Sequence, residues 1–186
     1  MQSPKIPKTG RLGQWVKAME DEGVSQSVIK VVMQNVNQFT STSNPAEKAE
    51  WIKDTTERLE NSVGKKICIQ VMEKKGRICC GATLRSKAKK FMKESKSIKE
   101  FLKKLNSMRG YTFELKDNHT IVGEYDKCYC GLVNKTKKPF KNLTYCHCGV
   151  GHIKQFFESA LEKPIEVELV QSVITGAESC KFIIHI

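Results

Sequence analysis

The chain has 186 residues and a formal net charge of +12, and its length is sufficient for one domain with its own hydrophobic core. No apolar run approaches the roughly 20 residues needed to cross a bilayer, and no secretory signal follows the basic start of the chain. These features exclude a membrane-spanning helix and favour a cytoplasmic protein. Because reducing compartments keep thiols free, we expect the eight cysteines to be ligands, core thiols or catalytic groups.

The excess of basic residues favours nucleic acid as a partner, but only through charge. Of the 32 basic residues only five are arginine, the residue that reads bases and phosphates through paired hydrogen bonds. The lysines are spread along the chain and are densest between Lys87 and Lys104. We therefore interpret them mainly as a solvated face.

Residues 1–110 are predicted to form a helical N-terminal part. The first helix is indicated by apolar residues at helical spacing: Leu12, Trp15, Val16 and Met19. Gly23 ends this helix, and Ser25 is predicted to cap a second helix that extends through Phe39.

The strongest helix start in the sequence is Asn44-Pro45-Ala46-Glu47, which combines a capping asparagine, a first-turn proline and an acidic residue. This helix is predicted to end at Gly64, and a short helix over 65–74 is predicted to follow. Residues 86–108 are again helical in pattern, with an interruption at 95–97.

At residue 111 the apolar period changes from 3.6 to 2, and alternating residues run through Phe113 to Leu115. A partner strand over 121–125 completes a hairpin. A helix is predicted from about Gly149, followed by a strand from Pro164 and a returning strand over 180–186. The sequence therefore predicts one α+β domain, 1–186, in which helices 1–110 pack with an antiparallel sheet of about four strands and a C-terminal helix in 111–186.

Four of the eight cysteines and two of the four histidines lie within residues 128–152. The cysteines form two pairs, Cys128-Tyr-Cys130 and Cys146-His-Cys148. Thiolates are strong ligands for zinc or iron, and a tetrahedral zinc site takes four ligands. We therefore predict a metal site formed by Cys128, Cys130, Cys146 and Cys148, with zinc as the metal and an iron–sulfur cluster as the alternative.

Two interpretations of these cysteines need no metal. They can be small core-facing side chains, or one of them can be a catalytic thiol. A helix that begins at about Gly149 places Cys146 and Cys148 at its positive N-terminal end, which favours the thiolate form. This position supports metal binding and nucleophilic chemistry equally.

The remaining cysteines and histidines give weaker indications. His152 lies one helical turn after the second pair and is either a ligand or a surface residue, while His147 lies between two proposed ligands and is expected to point away from them. Cys180 shares strand parity with apolar neighbours, which favours a core thiol. The adjacent Cys79 and Cys80 diverge, so they do not both bind one ion.

The segment from Cys146 to the C-terminus resembles the end of the 4-vinyl-reductase-type small-molecule-binding domain. The shared pattern is a cysteine, a glycine-containing helix, an alternating strand, and Gly176 four residues before Cys180-Lys181-Phe182. It is also similar to the ending of the bacterial L-2-amino-thiazoline-4-carboxylic acid hydrolase-like proteins and of cysteine-rich relatives. With the hairpin and first cysteine pair, the resemblance covers the chain from about residue 111.

This resemblance implies a helix-backed antiparallel sheet, a pocket for an apolar or small organic ligand, and often a cysteine-bound metal. Members with the metal commonly have a cysteine eight residues before the last one, where this chain has Ser172, and an acidic residue after the glycine, where it has Ala177. The metal site would therefore have to use the additional Cys130 and Cys148.

Two functions from different classes follow from these features. The first is a cytoplasmic zinc-binding sensor or binding domain that holds a small organic or apolar molecule. The alternative is a thiol- or metal-dependent hydrolase, in which Cys146 or Cys148 acts as nucleophile with His147 or His152 as base, or in which a bound metal activates water. The sequence contains no phosphate-binding loop, dinucleotide fingerprint or serine nucleophile elbow.

Overall fold

The computed structural model describes residues 6–108, 110 and 112–186. In this part of the chain, seven α-helices pack with one antiparallel sheet of four strands, which confirms the predicted α+β fold. The helices are α1 (Gly10–Asp21), α2 (Gln26–Val32), α3 (Val36–Ser41), α4 (Pro45–Cys79), α5 (Ala82–Lys93), α6 (Ile98–Asn106) and α7 (His147–Leu161), and the strands are β1 (Thr112–Leu115), β2 (Thr120–Tyr125), β3 (Glu166–Gln171) and β4 (Cys180–His185). None of the described helices is both long and apolar enough to span a membrane.

The single helix predicted from Ser25 to Phe39 is wrong, because the chain forms two short helices, α2 and α3, in this region. Ser25 caps α2 as expected, since its hydroxyl accepts a hydrogen bond from the Val28 amide at 3.4 Å. Asn35 then adopts a left-handed conformation with φ of 58°, which a helix cannot continue. The break turns α3 back toward α4.

Helix α4 begins as predicted and is the longest element of the fold. The Asn44 side chain accepts a hydrogen bond from the Ala46 amide at 3.0 Å, and Pro45 occupies the first turn. Gly64, with φ of 80°, breaks the helical conformation where the sequence predicts a stop. The helix after the break continues to Cys79, however, and does not end before Gly76.

The helices α4 and α7 cross at two glycines. A Cβ atom at Gly76 would overlap the carbonyl oxygen of Cys148, and one at Gly151 would overlap the carbonyl oxygen of Glu73. The two backbones therefore approach each other as closely as only glycine permits. This crossing, and not a helix end, explains the glycine at position 76.

The sheet has strand order β1-β2-β4-β3, with all neighbouring strands antiparallel. The predicted first residue of β1, Tyr111, lies outside the described residues. One face of the sheet packs on α7, where the ring centroid of Phe113 lies 5.2 Å from that of Phe157. Helix α6, capped by Ser97 as predicted, closes the same core.

The buried apolar residues form two clusters. The first lies among the N-terminal helices around Trp15 and Ile52, and it extends to Tyr145. The second lies between the sheet, α6 and α7. The α4–α7 crossing joins the two clusters, and the space beside this crossing is where we find the candidate site.

An ion pair also joins α4 to α7, because Arg77 donates two hydrogen bonds to the Glu158 carboxylate at 2.6 and 2.9 Å. These hydrogen bonds hold the pKa of Glu158 below its ordinary value of 4.5. Because the pKa of this carboxyl is lower in the folded state, the ion pair stabilises the fold at pH values above the unfolded-state pKa. This stabilisation is lost as the pH falls through the folded-state pKa.

We therefore expect Glu158→Gln to lower the free energy of unfolding by about 1 kcal/mol or less near neutral pH, as is usual for partly exposed ion pairs. The difference from wild type should shrink toward zero at about pH 2, where the Glu158 carboxyl is protonated and, like the glutamine that replaces it, carries no charge. Urea denaturation at both pH values measures this. Glu57→Gln, an exposed change on α4, is the control and should match wild type throughout. A Glu158→Gln difference that persists in acid would contradict this account.

Candidate functional site

A cavity of about 290 Å³ lies beside the α4–α7 crossing. Its wall is formed by the start of α1, the end of α4, the start of α7, the segment after β2, and strand β4. Six cysteines contribute to the wall: Cys79, Cys128, Cys130, Cys146, Cys148 and Cys180. Residues from both the helical part and the sheet therefore meet around one space.

The four cysteines that the sequence predicts as ligands all reach this cavity. Cys128 and Cys130 follow β2, and the Cys130 carbonyl accepts hydrogen bonds from two amides of the next turn at 3.0 Å each. Cys146 ends a 3-10 turn, and Cys148 lies in the first turn of α7. Among the described residues, no three His, Cys, Asp or Glu side chains are already arranged to hold one metal ion. The ligand set therefore stays a prediction.

Ser172 links two of the thiols. Its buried hydroxyl lies 2.9 Å from the sulfur of Cys146 and 3.6 Å from that of Cys180. The Val173 amide also donates to the Cys180 sulfur at 3.4 Å. Cys180 is buried, as the strand pattern predicts, but it faces the cavity as well as the core.

Burial raises the pKa of three thiols of this wall, those of Cys128, Cys146 and Cys148. It raises the pKa of both Cys128 and Cys148 to about 12, and it raises the pKa of Cys146 as well, with the neighbouring Cys148 adding to the effect. Burial therefore opposes the thiolate form that the start of α7 is predicted to favour. An unaided thiolate nucleophile is disfavoured at neutral pH.

His152 lines the cavity, whereas His147 lies against Glu73 with its Nδ1 at 3.7 Å from the carboxylate. Burial lowers the pKa of His152, so its imidazole is neutral near pH 7 and able to accept a proton or bind a metal. Cys79 is exposed at the cavity rim, and Cys80 is buried in the second core cluster. The two adjacent thiols diverge, as predicted.

Sequence reasoning missed a buried polar group in the wall, formed by Lys75 and Tyr145. The Lys75 ammonium donates to the Tyr145 hydroxyl at 3.3 Å and lies 4.7 Å from the centre of the Tyr145 ring. It also lies 5.1 Å from the ring centre of Trp15. The Tyr145 hydroxyl is 3.3 Å from the sulfur of Cys130. The sequence contains one indication that Lys75 is buried. Position 75 falls on the apolar face of α4, one helical turn after Val71.

A family model described as a family of unknown function, DUF6144, matches residues 11–186. The chain belongs to this family. The fold of this chain is similar to that of a mutant Fe(II) unliganded H-NOX protein from K. algicida, with a TM-score of 0.50 and 14% sequence identity over 94% of each chain. The unmutated Fe(II) unliganded H-NOX protein from K. algicida gives a TM-score of 0.48 at 14% identity, over 93% of this chain and 92% of that one. No curated protein matches this member of the family. At such identity the likeness shows the fold alone.

Proposed function

We propose that this domain is a sensor that binds a small organic molecule in the cysteine-lined cavity. The observation that carries this proposal is a cavity with largely apolar walls and a few convergent polar groups, which is the usual construction of a small-molecule site. The fold shared with the H-NOX protein from K. algicida is consistent with such a role. Cysteine-lined walls also agree with the resemblance to the 4-vinyl-reductase-type domain.

The position of the cavity suits a sensor. An occupant would contact α1 and α4 of the helical part together with strand β4 of the sheet. Ligand binding shifts a conformational equilibrium only when the ligand contacts differ between the two states. An occupant at this junction meets that condition, because any change in how the two core clusters pack alters its contacts.

The size of the cavity limits the occupant. A volume of about 290 Å³ lies at the lower end of the range for sites that enclose organic ligands. An iron-bound tetrapyrrole is a candidate because haem iron takes histidine, cysteine or tyrosine ligands, and all three residue types line this wall. The volume of this space is nevertheless small for such a macrocycle. A compact molecule fits better, so we derive no chemistry from haem.

Zinc binding is a second candidate function, favoured by the convergence of six cysteines and His152 on one wall. Zinc bound by Cys128, Cys130, Cys146 and Cys148 would be a closed structural site, whereas three protein ligands would leave an open position. Ser172 stands between the sulfurs of Cys146 and Cys180, where metal-binding members of the resembled family commonly have a cysteine.

The alternative of a hydrolase receives less support from the site. A cysteine nucleophile needs a lowered thiol pKa or an adjacent base, and burial acts in the opposite direction on Cys146 and Cys148. His147 lies against Glu73 and does not line the cavity. Thiol catalysis would therefore rely on His152 as the base, and the other route requires a bound metal with an open position. Nucleic-acid binding continues to rest on net charge alone.

The ligand-binding proposal is tested with a neutral apolar test ligand, 1-octanol. We expect saturating 1-octanol to raise the melting temperature, since a ligand at 100 times its Kd stabilises the folded state by about 2.7 kcal/mol. Placing a large side chain at the exposed rim, in Cys79→Trp, should weaken 1-octanol binding at least about tenfold without lowering stability by more than about 0.5 kcal/mol. Isothermal titration calorimetry and thermal melts measure both effects.

The matched control is Gln70→Trp, which adds the same side chain to an exposed site of α4 that does not line the cavity. It should bind 1-octanol like wild type. Equal binding of 1-octanol by Cys79→Trp and wild type would show that the cavity is not the ligand site.

A further inference from the structure

We infer that the occupant of the cavity carries a negatively charged head group, such as a carboxylate, and that Lys75 binds this group. This inference rests on the proposed function and names the class of ligand. It arises from an ammonium group that is buried in the wall of an otherwise apolar cavity. Lys75 is only 6% exposed to solvent.

A buried cation is costly unless an opposite charge or a full set of hydrogen bonds compensates it. An ammonium group carries three donors, and one of them is used by the Tyr145 hydroxyl at 3.3 Å. The rings of Trp15 and Tyr145 contribute cation–π attraction, which carries no compensating charge. Lys75 is therefore held in place by neutral partners.

The nearby carboxylates do not provide that charge. Within the described part of the chain, no carboxylate oxygen lies within ion-pair distance of the Lys75 ammonium. Glu73 pairs with Lys154 at 3.3 Å, Asp21 pairs with Lys17 at 2.9 Å, and Glu158 is held by Arg77. These three carboxylates, one each on α1, α4 and α7, are thus paired with other cations.

The described residues that line the cavity carry positive charges and no carboxylate. They include Lys75 and, at the exposed rim, Arg11, but neither aspartate nor glutamate. A ligand with an anionic head and an apolar body would satisfy the free donors of Lys75 and fill the apolar space at once. Burial strengthens such a charge-assisted hydrogen bond relative to the same contact in water.

The test compares octanoate with 1-octanol, which have chains of the same length and differ in the charge of the head group. We expect wild type to bind octanoate about 10- to 100-fold more tightly than 1-octanol, measured by isothermal titration calorimetry at constant pH and salt. In Lys75→Met, which keeps most of the length of the side chain but removes its charge, the preference for octanoate should be lost. Octanoate should bind no more tightly than 1-octanol there, because its charge has no partner. Binding of 1-octanol should change by less than about threefold, because the apolar walls are intact.

Lys74→Met is the matched control. Lys74 is the preceding residue of α4, but it does not line the cavity, and its ammonium lies 3.8 Å from the Asp21 carboxylate. This variant should retain the full preference for octanoate. Equal binding of octanoate and 1-octanol by wild type, or a preference that survives in Lys75→Met, would overturn the inference and leave the ligand-binding proposal standing. Failure of both compounds to bind wild type would reject the proposed function itself.

Discussion

Replacing Gly151 with alanine is expected to lower the free energy of unfolding by about 3 kcal/mol, the upper part of the range for inserting a group into a tightly packed site. A Cβ at this position would overlap the carbonyl oxygen and two further backbone atoms of Glu73. Backbone atoms of a helix cannot rotate away as a side chain can, so α4 and α7 must separate. Alanine favours a helix interior over glycine by only about 0.5–1 kcal/mol, and the overlap outweighs this gain.

The loss should appear as a melting temperature lowered by roughly 6–12 °C for a domain of this size. Gly76→Ala acts at the same crossing and should have a similar effect, since its Cβ would overlap the Cys148 carbonyl oxygen. The control is Gly131→Ala, where the nearest atom is a guanidinium nitrogen of Arg11 at 3.5 Å. This control should stay within about 0.5 kcal/mol of wild type. A Gly151→Ala protein as stable as Gly131→Ala would mean that the helices are not in such close contact.

The crossing also shows which parts of the fold local sequence could predict. Helix starts at Asn44 and Ser97 were predictable because a capping side chain acts on amides two or three residues away. Gly64 and Gly76 look alike in sequence, yet the first breaks a helix and the second lies in its interior. The role of Gly76 depends on α7, a distant element, and no local pattern contains that information.

The break at Asn35 was missed for a different reason. Asparagine tolerates the left-handed conformation better than most residues, but it is also accepted inside helices. Apolar residues before and after it continue the helical spacing, so the periodic pattern predicted one helix where two occur. Both short helices pack on α4, and this tertiary contact is not contained in the local pattern.

The candidate site also has parts that the local sequence could predict and parts that it could not. The paired cysteines were recognised because each pair is contiguous in sequence and has the residue type and density of a ligand group, and all four reach the cavity. The Lys75–Tyr145 hydrogen bond joins residues 70 positions apart. A lysine on the apolar face of a helix is visible in sequence, but its aromatic partners and the cavity beside it depend on the tertiary fold.

Metal analysis provides the second large expected effect. Protein purified without metal-affinity resin is expected to contain about one zinc ion per chain, since a closed thiolate site takes one ion with four ligands. The residues Cys128, Cys130, Cys146 and Cys148 line one cavity, and zinc binding requires that rotation of their side chains bring the sulfurs together. Cys128→Ser and Cys146→Ser should each weaken zinc binding by more than about 100-fold, because loss of a direct ligand exceeds the 10- to 100-fold cost of losing an outer-shell partner.

Cys68→Ala is the control for these zinc measurements, because Cys68 is buried in the first core cluster and does not line the cavity. This variant should keep full zinc content even where stability falls by about 1 kcal/mol. Iron and acid-labile sulfide in place of zinc would assign an iron–sulfur cluster to the same cysteines. Wild-type protein with no metal and eight freely titratable thiols would reject the metal site. Octanoate binding would still be measurable in that protein, because Lys75 and the apolar walls do not depend on the metal.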